Sequence, residues 1–130
     1  MKKLIMCRGL PASGKSTWAE SQTNVIIVDS DDIRRNGYSK EFEELVQVEK
    51  RNKIRRALQA GKTVISTDPN LLPRHERELR AIARKYKAQF EIKEFDTPLE
   101  ECIRRDSLRE RKVGELAIKY WHERASLQQE

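Results

Sequence analysis

Apolar residues recur in two rhythms along this chain, as short runs bounded by turn residues and as longer stretches spaced three or four apart. The short runs predict strands. Leu4-Ile5-Met6-Cys7 lies in a first strand from about Lys3 to Arg8, Asn24 to Val28 forms a second, and Thr63 to Thr67 a third, stopped by Asp68-Pro69-Asn70. Phe90 to Phe95 alternates, which predicts a fourth strand with a more exposed face. The longer rhythm predicts helices between them. One runs from about Lys15 to Ser21. A second runs from about Glu41 to Ala60, with Phe42, Leu45, Val46, Ile54, Ala57 and Leu58 on its apolar face and Gly61 as its stop. A third opens at Pro73 and buries Leu79, Ile82 and Ala83, and a fourth opens at Pro98 and runs through Leu99, Cys102 and Ile103. The last spans about Gly114 to Gln128 and packs through Leu116, Ile118, Tyr120 and Trp121.

Strands alternating with helices predict an α/β fold, a parallel sheet covered on both faces through right-handed crossovers. A length of 130 residues predicts one domain over 1–130, with no room for a second catalytic domain. In such sheets ligands bind beyond the carboxyl ends of the strands. The segments to inspect are therefore the loop after strand one, Asp29 to Arg34 after strand two, and Asp68 after strand three.

The first of these carries the strongest motif. Gly9-Leu10-Pro11-Ala12-Ser13-Gly14-Lys15-Ser16, followed by Thr17, fits G-x-x-x-x-G-K-[ST] between a predicted strand and a predicted helix. Gly9 and Gly14 let the loop turn its backbone N–H groups inward, around Ala12 and Ser13, and the helix that starts at Lys15 adds positive partial charge. Lys15 is expected on the β- and γ-phosphates of a nucleoside triphosphate and the Ser16 hydroxyl on Mg²⁺.

The other two segments supply what phosphoryl transfer to a hydroxyl requires. Asp31 or Asp32 is placed to orient a hydroxyl and accept its proton, although aspartate there also serves as a helix cap. Arg34, one helical turn from Asp31, suits bidentate contact with a phosphate on the acceptor. Asp68 fits either a carboxylate holding Mg²⁺, directly or through water, or a turn residue before Pro69. Arg105 and Arg109, four apart in the densest basic stretch, are expected to share a helix face as a lid over the transferring group. A solvated charged face is the plainer use of such a run.

Composition narrows the class. Charged residues are 37% of the chain, the net charge is +6 and the mean hydropathy is −0.83. A basic balance favours a polyanionic partner such as nucleic acid over a small neutral one. No segment reaches membrane-spanning length, and the apolar run after Lys2-Lys3 is too short for a signal peptide, so it reads as the first strand of a cytoplasmic protein. Cys7, Cys102, His75 and His122 lack metal-site spacing, and the two cysteines are expected as buried or half-buried free thiols. Trp18, Trp121 and Tyr38 are read as packing residues, with stacking on a base as the alternative use of each.

Together these residues resemble the phage-type polynucleotide 5′-hydroxyl kinases, within the wider P-loop kinase group. The similarity rests on Gly14-Lys15-Ser16-Thr17-Trp18-Ala19, Asp31-Asp32-Ile33-Arg34, Ile65-Ser66-Thr67-Asp68-Pro69-Asn70-Leu71 with Pro73, Phe95-Asp96-Thr97-Pro98, and Arg105 with Arg109. It implies a three-layer P-loop kinase fold with a short parallel sheet in the order 2-3-1-4. It also implies ATP and Mg²⁺ as cofactors and the 5′-hydroxyl ends of DNA or RNA as substrate. Lys15 and Ser16 would bind the triphosphate and its metal, Asp31 would be the general base, and Arg34 would hold the acceptor phosphate. Arg109 would stabilise the γ-phosphate with support from Arg105, and Asp68 and Asn70 would line the pocket floor near the metal. The chain departs from the family after Arg109, where Glu110-Arg111-Lys112-Val113-Gly114-Glu115 replaces a glycine and a later Val-Pro step. The segment between the phosphate loop and Asp31 is also shorter here.

Overall fold

The computed structural model describes residues 2–37 and 40–127. Strands β1 (Lys3–Arg8), β2 (Val25–Val28), β3 (Thr63–Ser66) and β4 (Gln89–Glu94) form a parallel sheet in the order β2-β3-β1-β4. The register pairs Leu4 with Val64 and Phe90, and Val28 with Ser66. Strand β1 lies at the centre because its run is apolar on both faces, with Leu4, Met6 and Cys7 fully buried. β4 alternates and half of it faces outward, as its pattern implies.

The helices are α1 (Lys15–Glu20), α2 (Ser30–Arg35), α3 (Glu43–Gln59), α4 (Pro73–Lys85), α5 (Leu99–Leu108) and α6 (Glu115–Leu127), with a 3₁₀ turn at Lys40–Phe42. On one sheet face Leu4, Met6 and Val64 pack against Val46, Ile54 and Leu58 of α3 and Leu79, Ile82 and Ala83 of α4. On the other, Cys7 and Ile65 pack with Ala19 of α1, Trp18 and Phe95. A third cluster joins Leu10 of the first loop to Cys102 of α5 and Ile118 of α6. Cys7 and Cys102 are both free thiols and both buried.

Several expected core residues lie outside. Phe42 and Leu45 are about half exposed at 49% and 51%. The inner stripe of α3 is Val46, Lys50, Ile54 and Leu58. Phe42 precedes the helix at its N-cap, and Leu45 sits about 100° around from Val46. Leu116 and Tyr120 are likewise exposed, because α6 packs through Ile118 and Trp121, three apart. Ile26 and Ile27 are exposed because β2 is an edge strand. The helix α2 appeared in the sequence only as a single catalytic turn. Tyr38 and Gln128 lie outside the described residues. Among the described residues no helix is long and apolar enough to cross a membrane.

Candidate active site

A cleft of about 730 Å³ opens at the carboxyl end of the sheet. The β1–α1 loop forms one side, through Pro11, Ala12, Gly14, Lys15, Ser16 and Thr17. Gly9 and Ser13 are not on the cleft wall and act as its backing. A Cβ on Gly9 would fall 2.8 Å from Phe95 Cβ and 2.9 Å from the Phe95 carbonyl oxygen, closer than real Cβ contacts allow. Gly14 takes φ 106°, a left-handed backbone at the start of α1. The hydroxyl of Thr97 donates to the Ser13 carbonyl (2.9 Å), and Gly9 N donates to the Pro69 carbonyl (3.1 Å), so the loop is tied to the chain beyond β4 and β3.

Lys15 lies in the floor of this loop. Its Nζ donates to the carbonyls of Gly9 (2.8 Å) and Leu10 (2.7 Å). Burial pulls its pKa down to about 8, although Cys7, Asp68, Cys102 and Asp29 nearby act to raise it. Desolvation that makes this charge costly also makes it a strong partner for phosphate.

At the end of β2, Asp29 caps α2. Its Oδ1 accepts from the Asp31 backbone N–H (2.8 Å), and its Oδ2 accepts from the Thr67 hydroxyl (2.6 Å). Burial and the neighbouring Asp68 charge raise its pKa. The cap is therefore Asp29, and it releases the two following aspartates from that task. Asp32 pairs with Arg35, while Asp31 and Arg34 line the cleft. Arg34 Nη1 donates to Asp31 Oδ1 (2.5 Å), and its Nε and Nη2 donate as a fork to both oxygens of Glu43 on α3. The Glu43 hydrogen bond is the main reason that the Arg34 pKa is raised. The fork expected for an acceptor phosphate is thus already held by Glu43. Glu43 lies nine residues away with nothing local to mark it, so its role is not legible from spacing.

Asp68 closes β3. Its Oδ1 accepts from Ser30 N (2.9 Å), and its Oδ2 accepts from Ser30 Oγ (2.7 Å) and from Lys50 Nζ (2.7 Å). Burial acts to raise its pKa, but Lys50 and Ser30 outweigh it and hold the carboxyl below its usual range. Both oxygens are thus committed to protein donors. Asn70, with φ 52°, donates from Nδ2 to the Cys7 carbonyl (2.8 Å) and the Asp68 carbonyl (2.9 Å). Asn70 lines the cleft and joins the ends of β1 and β3, and its buried Oδ1 has no partner among the described residues. The apolar spacing of α3 hid Lys50, which replaces an apolar residue on the buried stripe.

Arg105 and Arg109 both line the cleft but do not share a helix face. α5 stops at Leu108, and Arg109 is extended (φ −93°, ψ 157°). Buried Asp106 makes this turn. Its Oδ1 accepts from Arg109 Nε (2.9 Å) and Val113 N (2.9 Å), and its Oδ2 accepts from Gly114 N (2.8 Å). These donors hold its carboxyl below its usual range against the opposing effect of burial. Arg105 hangs beside the phosphate loop, with Nη1 3.8 Å from where a Gly14 Cβ would lie.

The donor set fits a magnesium ion of the kinase kind. No cluster of three metal-binding side chains occurs among the described residues, and Mg²⁺ bound with nucleotide takes most of its ligands from phosphates and water. Ser16 is exposed on the cleft wall with no hydrogen-bond partner among the described residues, which leaves its hydroxyl available.

Residues 4–127 match the AAA domain family. The fold is that of the P-loop kinases. A chain of the Pnkp1/Rnl/Hen1 RNA repair complex superposes with a TM-score of 0.80 at 24% identity, covering 98% of this chain and 45% of that one. A second structure of the Pnkp1/Rnl/Hen1 complex gives 0.72 at 26% identity, covering 86% and 41%. The chain thus spans less than half the length of these two. A gluconokinase from Sinorhizobium meliloti 1021 gives 0.65 at 13% identity, covering 93% and 73%. The Mycobacterium tuberculosis APS kinase CysC, in complex with AMPPNP and APS, gives 0.58 at 21%, covering 82% and 69%.

Proposed function

The chain belongs to the AAA domain family, and on that premise we propose that it transfers the γ-phosphoryl group of ATP to the 5′-hydroxyl end of a DNA or RNA strand. The observation that carries this reading is the shared turn of α2, which presents Asp31 and Arg34 to the same cleft as Lys15 and Ser16. A carboxylate and a guanidinium beside a phosphate loop suit an acceptor that carries both a hydroxyl and a phosphate. A basic net charge of +6 and the likeness to a chain of an RNA repair complex support a nucleic-acid acceptor.

In this mechanism Lys15 leaves the Gly9 and Leu10 carbonyls for the β- and γ-phosphates, and the loop N–H groups hold the triphosphate. Asp31 accepts the proton of the attacking hydroxyl and orients it in line with the leaving oxygen. Arg34 grips the phosphate next to that hydroxyl, and Arg109 and Arg105 offset the charge that builds on the equatorial oxygens. Ser16 would hold Mg²⁺, which when bound neutralises phosphate charge.

A second reading, a kinase for a small hydroxyl or nucleotide acceptor, draws on the fold shared with the gluconokinase and on the Arg34 fork already held by Glu43. Transfer from γ-labelled ATP with Mg²⁺ decides between them. Label on a 5′-hydroxyl oligonucleotide, and none on its 5′-phosphorylated twin, is the expected result. Label only on free nucleosides, nucleotides or sugars supports the second reading.

A further inference from the structure

Most cations of the cleft already hold a carboxylate. Arg34 pairs with Asp31 and Glu43, Lys50 with Asp68, Arg51 with Glu78, Arg105 with Glu101, and Arg109 with Asp106. Lys15 is bound to loop carbonyls. Arg74 also lines the cleft, and among the described residues it has neither an ion pair nor a side-chain hydrogen bond. An arginine with a vacant fork meets a phosphate without first giving up an acid, so it keeps the full gain of a charge-assisted bidentate contact. Arg74 is exposed and stands in the first turn of α4, where the helix adds positive partial charge.

An aromatic side chain stands on the same wall. Trp121 lines the cleft, half-buried, with its inner side packed on Leu10, Cys102 and Ile118. Its ring lies 6.3 Å from that of His75, the residue after Arg74. The charge of Arg74 is close enough to His75 to help depress the imidazole pKa to about 4, behind burial and Lys50, so His75 adds no competing charge at neutral pH. A free guanidinium and a rigid aromatic on adjoining elements make the minimal reader of a nucleotide, one for the phosphate and one for the base. Transfer itself uses the phosphate loop, α2 and the arginines after β4. It leaves this wall of α4 and α6 unused.

We infer that Arg74 and Trp121 form a subsite for the acceptor strand's next nucleotide, 3′ to the one that reacts, with the phosphate on the 3′ side of that second nucleotide on Arg74 and its base against Trp121. This rests on the polynucleotide reading above and adds a preference for acceptors longer than one nucleotide.

The test compares kcat/KM for three 5′-hydroxyl acceptors with a common first nucleotide: a nucleoside 3′-monophosphate, a dinucleotide and a hexanucleotide. The unaltered chain is expected to favour the longer acceptors through KM. Arg74→Ala should cut the hexanucleotide-to-monophosphate ratio about tenfold, the scale of one lost charge-assisted phosphate contact, and Arg74→Lys should restore part of it. Arg74→Ala should also lower the salt slope of hexanucleotide binding by about one. Trp121→Leu should reduce the same ratio and Trp121→Phe should keep most of it, since both retain an apolar contact with the core. A ratio unmoved by Arg74→Ala overturns the subsite, as does a Trp121→Leu effect confined to the KM of ATP, which would assign the ring to the donor base. Phosphorylation of oligonucleotides with no preference for length removes the subsite and leaves the proposed function standing. Phosphorylation of small hydroxyls alone removes both.

Discussion

Lys50 Nζ lies 2.7 Å from Asp68 Oδ2, and the same carboxylate holds both the backbone N–H and the hydroxyl of Ser30. The acid that ends β3 is therefore a strut between α3 and the first turn of α2, the turn that carries Asp31. Its two oxygens are occupied by protein donors, which suits support of the base better than direct ligation of a metal.

Removing Lys50 should leave that carboxylate buried and unpaired. Lys50→Met is expected to destabilise the fold by about 3 kcal/mol, and Lys50→Met with Asp68→Asn by clearly less, as chemical denaturation would measure. Asp68→Asn should lower kcat with little change in the Mg²⁺ concentration for half-maximal rate. A large rise in that concentration would return Asp68 to the metal.

Asp31→Asn keeps the shape of the side chain and removes the base. It should reduce kcat by about 100-fold or more while ATP affinity, read by calorimetry, stays within about twofold. Asp32→Asn, whose side chain faces Arg35, should change kcat little.

The depressed pKa of Lys15 gives a pH signature. With a value of about 8 in the ligand-free loop, the ammonium is largely charged at pH 7 and is lost as pH rises through 8. ATP affinity should be highest below pH 8 and fall as pH rises above it, because the triphosphate binds the charged form. Calorimetric titration between about pH 6.5 and 9.5 measures this. Lys15→Met should bind weakly and lose that fall.

Gly9→Ala forces a Cβ against Phe95 where no flexible group can yield, since two of the three nearest atoms are the Phe95 Cβ and backbone oxygen. It is expected to lower the melting temperature by several degrees, for roughly 1–3 kcal/mol of overpacking, and to weaken ATP binding. Gly61→Ala meets no neighbouring atom and makes a control for backbone effects alone.

The sheet was readable because β1, β2 and β3 each keep an apolar run and β4 alternates, and the helices between them, α2 apart, followed from their own spacing. The phosphate loop was readable because its chemistry is local, nine consecutive residues running from the end of a strand into the first turn of a helix. The partners of the site were not local. Glu43, Lys50 and Asp106 each act across a turn or a helix on a residue that the sequence did flag, and nothing in spacing distinguishes them from surface charges. Arg109 was misplaced on a helix face for a related reason. The buried Asp106 ends α5 by taking the N–H groups of Val113 and Gly114, a tertiary competition that helix propensity does not report. Phe42 and Leu116 were placed in the core because apolar residues near a helix end fit a stripe loosely, and only the final rotation of the helix decides which are covered.

The edge of β2 is open to solvent. Ile26 and Ile27 border a shallow groove whose rim carries Lys53, Arg56 and Lys62. A bare strand edge with two isoleucines invites another strand, and a rim of like charge on each copy opposes that approach. Colloidal stability is therefore expected to fall as ionic strength rises, because salt shortens the range of the repulsion, and light scattering across a salt series would measure it.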